Sequence, residues 1–233
     1  MISEVAVLIP AYQEAGSIFE VVTSCRLLGF DVLVVDDGSS DDTSERAQRA
    51  GAIVFRHPYN QGKGAAIQTA ITHGLRQSYS QFVFMDADGQ HVPDEVDLFL
   101  TEQRRSSCDM IIGNRMLNPY GMPFIRRLTN SVMSFLISLI IRQKIPDTQC
   151  GYRLVSRRVL ESITLTSSNY EIESEMLLKA GSRHFTIGSV PIRSVYRREK
   201  SNIRPLEDTV RFCMFIIRFL LTEKRRSKDG TRS

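Results

Sequence analysis

Three acidic or polar stretches stand where apolar runs end: Pro10-Ala11-Tyr12-Gln13-Glu14, Asp36-Asp37-Gly38-Ser39 and Asp86-Ala87-Asp88-Gly89-Gln90. Carboxylates gathered in this way repel one another unless a cation or hydrogen-bond donors satisfy them. The sharpest case is Asp86-Ala87-Asp88. In an extended turn alternate residues share a face, so Asp86, Asp88 and Gln90 can aim oxygen atoms at one hard cation. Mg2+ and Mn2+ take such ligands and complete their shell with substrate phosphates and water. Capping of a nearby helix is the structural alternative for Asp86 and Asp88, and two other acidic loops beside them weigh against it. Asp36 and Asp37 could accept from uracil or guanine N–H groups and ribose hydroxyls, whereas a helix N-cap accounts for Ser40 or Asp41. Asn60-Gln61-Gly62-Lys63-Gly64 is too short for a Walker A loop. Its glycines and helix N-terminus can approach a phosphate or sugar closely. A simple turn explains the glycines equally well, which leaves Lys63 as the residue of interest.

The elements that must position these loops follow from hydrophobic runs and their stops. Val5–Ile9 ends at Pro10 and predicts a buried strand; strands are also expected at 32–35, 52–55, 81–85 and 110–112. Helices are expected at 14–28, stopped by Gly29, and at 41–50, 64–78 and 94–105. Strand and helix alternate with short connections, which predicts a doubly wound α/β sheet, parallel at least through this half. In such a sheet ligands bind outside the carboxyl ends of the strands, where the three acidic loops fall. After residue 113 the rhythm changes: an apolar helix (about 123–143), a polar turn, a helix near 171–180, a strand at 186–192 and a last helix over about 205–222. One domain is expected over 1–222, with 1–113 making a nucleotide-type sheet and 114–222 completing the site; a basic, disordered tail is expected at 223–233.

The formal net charge of +4 over 233 residues conceals a split: residues 1–100 carry 6 Lys/Arg against 14 Asp/Glu, and residues 101–233 carry 24 against 12. Such a split suits a chain that holds a metal with one half and phosphates with the other, so nucleic acid is not needed to explain the basic balance. The four cysteines lie tens of residues apart, with neither metal-ligand nor disulfide-framework spacing, and read as reduced thiols of a cytoplasmic protein. The start lacks the basic and apolar regions of a signal peptide. The apolar runs 132–141 and 212–221 fall short of the roughly 20 residues that span a bilayer. Arg204, Arg211, Arg218 and Arg225 recur every seven residues, and Arg127, Ser131, Ser134, Ser138 and Arg142 form a narrow polar stripe on the helix before them. Both helices suit a membrane interface, packing on the sheet, or a homo-oligomer.

These loops, in this order, resemble the family 2 glycosyltransferases of GT-A fold, and among them the polyprenyl- (dolichyl-) phosphate mannose and glucose synthases. Beyond the motifs above, the resemblance continues with Gly113-Asn114-Arg115, with Asp147 to Arg153, with Tyr170 to Glu175, and with Glu199 to Ile203. It covers roughly residues 4–222. It implies that Pro10, Tyr12, Glu14, Asp36 and Asp37 hold the nucleoside, with Lys63 and Ala87 also on the donor. Asp86, Asp88 and Gln90 would hold Mg2+ or Mn2+ and, through it, the diphosphate. Arg115 and Arg127 would meet the phosphate of a lipid acceptor, and Arg197 and Lys200 would close over the donor. Position 13 is Gln where the family usually has Asn, and the Arg197–Ser201 spacing differs from that of the eukaryotic mannose synthases.

The reaction so implied is inverting transfer of a hexose from a donor of GDP-mannose or UDP-glucose type to a polyprenyl phosphate at the cytoplasmic membrane face. A phosphate monoester, with a second pKa of about 6, needs no general base. Asp147 therefore reads as positioning rather than as a base, with Gln149 beside it and Arg153 as its expected salt-bridge partner. One of Glu171 and Glu173 is expected to face the site. A sugar acceptor, a nucleotide-sugar-binding module without turnover, and a nucleotidyltransferase are the rival readings.

Overall fold

The computed structural model describes residues 4–117, 119, 121–193, 212 and 214–221. Arg197, Lys200, most of the seven-residue arginine series and the 223–233 tail lie outside the described residues. The elements are β1 (Val5–Ala11), α1 (Ile18–Leu27), β2 (Asp31–Asp36), α2 (Thr43–Arg49), β3 (Ile53–Arg56), α3 (Lys63–Leu75) and β4 (Gln81–Phe84). A 3-10 turn at Pro93–Glu95 leads into α4 (Val96–Ser106) and β5 (Met110–Asn114). There follow α5 (Phe124–Ile141), β6 (Arg153–Ser156), α6 (Arg157–Ser162), α7 (Ile172–Ser182) and β7 (Ile187–Pro191). Residues 214–221 are helical, with Phe212 and Ile216 buried in the core.

A seven-stranded sheet runs in the order β3-β2-β1-β4-β6-β5-β7. β1 lies inside the sheet, third in that order, and its Ala6 to Ile9 are fully buried on both faces, as the unbroken apolar run requires. β1 pairs in parallel with β2 and β4, β2 with β3, and β5 with β7. Helix α3 lies across β1 and β2, and Gly74 lets it approach closely: a Cβ there would sit 2.7 Å from the Phe82 ring.

One strand was not foreseen. In place of a simple polar turn after α5, residues 153–156 return as β6, antiparallel to both β4 and β5. A single apolar pair, Leu154-Val155, carries no readable period. Its strand form comes from burial between Val83 and Ile111, with which Leu154 is in register. β5 also extends to Asn114, because Gly113 and Asn114 pair with Val190 and Pro191 of β7. α1 begins four residues later than expected, since the Glu14 carbonyl is used in a turn by the N–H groups of Ser17 and Ile18.

Helix α5 corrects another expectation. At 18 residues with mean hydropathy 1.4 it is long and apolar enough to cross a membrane, by length and composition only. The apolar run from Val132 is only the second half of the helix, which starts at Phe124 and includes Phe124, Ile125 and Leu128. One face (Met133, Ile137, Ile141) is buried against the domain, and Gly181 of α7 makes room for it: a Cβ there would lie 2.5 Å from the Ile141 Cβ. Among the described residues Cys25, Cys108 and Cys150 are free thiols. Burial pushes Cys25 up to about 12 and Cys150 up to about 11, which keeps both unreactive.

The segment before α7 is pinned by one buried carboxylate. Glu175 accepts from the N–H groups of Thr166 (3.0 Å) and Ser167 (2.8 Å), the Thr166 hydroxyl (2.7 Å) and Lys179 (2.6 Å). Burial alone would raise its pKa, but these donors outweigh it and hold the group below the usual glutamate range. A carboxylate with a depressed folded pKa stabilises above its unfolded value and loses that contribution as pH falls through the folded one. We therefore expect Glu175→Gln to cost about 1–3 kcal/mol at neutral pH in urea unfolding, with the gap to wild type closing as pH drops below about 4.5.

Candidate active site

The strands that share one direction bring their carboxyl ends to one edge of the sheet: β1 delivers Pro10 and Tyr12, β2 Asp36 and Asp37, β4 Asp86, and β5 Arg115. Lys63, the first residue of α3, reaches in between. Its Nζ lies 2.7 Å from Asp86 Oδ1 and 2.8 Å from Glu173 Oε1, with the Tyr170 ring 5.8 Å away. Glu173 is thus the glutamate that faces the site, while Glu171 stands at the N-cap position of α7 without a side-chain cap bond. Burial works against the Lys63 ammonium, but Asp86 and Glu173 together outweigh it and hold its pKa above the ordinary lysine range. For Asp86 burial is likewise outweighed by Lys63, His91 and Arg115, and its carboxyl stays far below the usual range.

His91 closes this cluster from the side. Its Nδ1 accepts the Asp86 N–H at 3.1 Å and its ring stacks on Tyr152 at 4.8 Å. Burial first, and the cations Arg115 and Lys63 after it, pull its pKa down to about 4 against the pull of Asp86 and Asp147, so the ring is neutral at physiological pH. Gly151 borders the same cleft; a Cβ there would stand 2.9 Å from Asp86 Oδ2, so only glycine leaves the carboxylate its place. Gly151 falls within the Asp147–Arg153 stretch and His91 directly follows the Asp86–Gln90 loop, but residue type alone assigns them no task.

Several residues singled out in the sequence are engaged within the protein. Asp36 is fully buried; its oxygens accept from the Ser39 N–H (2.9 Å) and the Ser44 hydroxyl, with Arg56 Nε at 3.5 Å. Asp37 pairs with His57 Nδ1 (2.7 Å) and accepts from the N–H groups of Gln61 (3.0 Å) and Gly62 (2.8 Å), which shapes the turn into α3. That helix start is not open to a ligand: the N–H groups of Gly64 and Ala65 donate to the Ser168 carbonyl at 2.8 and 3.2 Å. Its glycines exist for this packing, since a Cβ on Gly62 would be 2.4 Å from the Ser168 oxygen and one on Gly64 2.3 Å from the Ser167 oxygen. Glu14 accepts from the Ser17 hydroxyl at 2.8 Å, and Tyr12 stands exposed beyond β1.

The Asp86–Gln90 loop separates its carboxylates. Asp86 turns inward to Lys63, whereas Asp88 lies half-buried with Oδ1 accepting the Gln90 N–H at 2.9 Å. Ala87 between them is buried. No cluster of three or more His, Cys, Asp or Glu side chains with metal-holding geometry occurs among the described residues.

Asp147 meets a different partner from the one expected. Arg115, almost wholly buried, grips it with two parallel bonds, Nε to Oδ2 at 2.8 Å and Nη2 to Oδ1 at 2.9 Å. Arg153 instead spends its fork on three backbone carbonyls, those of Cys150 (2.7 Å), Glu173 (2.6 Å) and Thr148 (2.8 Å). A planar guanidinium suits three diverging acceptors, and burial lowers its pKa without removing its charge. Gln149 reaches Ser174 at 3.3 Å. Arg127 stands apart from the cluster, exposed on the first turn of α5.

The profile of glycosyl transferase family 2 matches residues 6–164, and the chain belongs to that family: it is a glycosyltransferase. The UDP-N-acetylglucosamine--dolichyl-phosphate N-acetylglucosaminyltransferase of Methanococcus voltae is 30% identical over 212 residues, covering 81% of this chain and 84% of that protein. Among solved structures, mannosyl-3-phosphoglycerate synthase from Rubrobacter xylanophilus superposes with a TM-score of 0.74 at 18% identity, over 95% of this chain and 75% of that one. Glucosyl-3-phosphoglycerate synthase from Mycobacterium tuberculosis, solved with Mn2+, uridine diphosphate and phosphoglyceric acid, gives 0.69 at 22% identity, over 94% and 77%. At these identities the likeness establishes the fold, which is GT-A.

Removing one partner of a buried ion pair strands the other charge. We expect Asp147→Asn to cost about 3–5 kcal/mol in denaturant unfolding. Adding Arg115→Met to it should recover part of that loss, giving a favourable coupling in the double-mutant cycle.

Proposed function

We propose that the chain transfers a hexose from a nucleoside diphosphate to a polyprenyl phosphate with inversion, working peripherally at the membrane face that holds the lipid. The observation that carries this reading is the convergence at one sheet edge of the Asp86–Gln90 loop, Lys63 and the Arg115–Asp147 pair. Support comes from the sequence resemblance and from the dolichyl-phosphate acceptor in the name of the Methanococcus voltae relative.

The Asp86–Gln90 loop offers the oxygens of Asp86, Asp88 and Gln90 to a divalent cation. Asp86 already has the Lys63 ammonium, and a small hard cation in a phosphate site needs only one or two carboxylates, substrate oxygens and water completing its shell. Gln90 supplies a further oxygen. Bound there, Mg2+ or Mn2+ would offset the charge of the departing diphosphate. Pro10, Tyr12 and Glu14 bracket the nucleoside, with Asp36 and Asp37 shaping the adjoining turn, and Ala87 leaves room at the sugar. On the sequence resemblance we also assign Arg197 and Lys200 to the donor diphosphate.

An acceptor phosphate is already ionised, so the protein's task is to bring two anions together. Arg127 meets the acceptor phosphate from α5. Arg115, neutralised by Asp147, shapes the inner cleft, and Asp147 fixes its plane rather than acting as a base.

The test is a matrix of UDP-glucose, UDP-N-acetylglucosamine and GDP-mannose against dolichyl and undecaprenyl phosphate with Mg2+ or Mn2+, read by mass spectrometry. A glycosyl phosphoryl polyprenol and free nucleoside diphosphate are expected, and Asp88→Ala should lower kcat/KM by at least about 100-fold. Product only with sugar acceptors, or release of pyrophosphate, would overturn the reading.

A further inference from the structure

Helix α5 carries two opposed apolar faces, and only one is used inside the domain. Phe124, Ile125, Leu128, Val132, Phe135 and Leu139 are between 50% and 76% exposed. From 128 onward the spacings are four, three and four, so these side chains form one stripe opposite the buried Met133, Ile137 and Ile141. Contiguous exposed apolar surface of this kind marks a contact site. Its ends are cationic: Arg126 and Arg127 at the first turn, Arg142 and Lys144 at the last, and no Asp or Glu anywhere between Asp109 and Asp147. Near the last turn Phe135, Ser138, Leu139, Arg142, Gln143 and Lys144 line a shallow groove of about 280 Å³.

We infer that this face of α5 docks on an anionic lipid bilayer, lying flat with the apolar stripe among the acyl chains and the basic ends at the headgroups. Charge selects the occupant. A second copy packed antiparallel through α5 would set Arg127 against Arg142 and Lys144 of its mate, and residues 110–146 bring no carboxylate of their own to separate them. An anionic headgroup layer meets every one of these cations. The same helix has the length and hydropathy of a span, but crossing the bilayer would strip Met133, Ile137 and Ile141 from the core. The inference rests on the proposed function only for why docking is useful: it brings a lipid phosphate to Arg127.

The chain contains no tryptophan, so Phe135→Trp supplies a lone reporter in the full-length protein. With phosphatidylcholine vesicles containing phosphatidylglycerol, its emission should shift to the blue and be quenched by brominated acyl chains. Vesicles of phosphatidylcholine alone should give a much smaller response. In sedimentation with the anionic vesicles, Phe135→Ser/Leu139→Ser and Arg142→Gln/Lys144→Gln should each bind at least about tenfold more weakly, with unchanged thermal unfolding. Absence of binding to anionic vesicles, or binding untouched by both double variants, would overturn the inference. So would a concentration-dependent dimer that Phe135→Ser/Leu139→Ser abolishes, since the face would then be covered by a second copy. The two readings fail separately. Vesicle binding without sugar transfer refutes the proposed reaction alone, and transfer to a short, water-soluble prenyl phosphate without vesicle binding refutes the docking alone.

Discussion

The Lys63 ammonium, 2.7 Å from Asp86 and 2.8 Å from Glu173, is the interaction on which the sheet edge depends. Three segments far apart in sequence meet at this one charge: the start of α3, the loop after β4 and the first turn of α7. An unpaired carboxylate at this depth would be expelled or protonated. With the cation in place Asp86 remains charged, and its backbone N–H in turn orients the neutral ring of His91. The 165–171 segment that covers the start of α3 is held by the same logic through buried Glu175, so both ends of the cleft are tied down by carboxylates paired with cations or N–H donors.

This arrangement divides the work among acidic residues that look equivalent in a list. Asp36 and Asp37 are walls: they hold Ser39, Ser44, His57 and the 60–62 turn in position. Asp86 and Glu173 are counter-ions to lysine, and Asp147 is the counter-ion to Arg115. Asp88 is the half-buried carboxylate of the Asp86–Gln90 loop. The acidic first half of the chain is therefore neutralised in part by its own cations, so its charge excess overstates what remains for an external ion.

Much of this was legible beforehand, for reasons that differ by residue. β1, β2 and β4 announce themselves because a strand buried on both faces must be apolar throughout, and the loops at their ends were found because polar residues there have few structural excuses. β6 was not legible, since a four-residue strand has no period and owes its form to neighbours. Arg153 and Arg115 could not be told apart by type; which of them takes Asp147 depends on backbone carbonyls that the fold alone brings to Arg153. The glycines at 62 and 64 signalled close approach correctly, yet what approaches is the backbone of residues 167–168 and not a phosphate.

The late arrival of β6 also bears on how the chain can be assembled. β4 and β5 are successive in sequence but never touch along their length, because residues 153–156 stand between them. Until that segment is made and inserted, both strands present open edges, the kind that recruit neighbouring chains into aggregates. Closing the sheet must then wait on a contact between positions some 70 residues apart, Val83 with Leu154, a separation similar to those of the β1–β4 and β5–β7 pairs, so the sheet closes throughout by slow, long-range contacts. A fragment ending at residue 113 would contain every acidic loop and still lack the strand that seals them, so the donor-side half is not a free-standing unit.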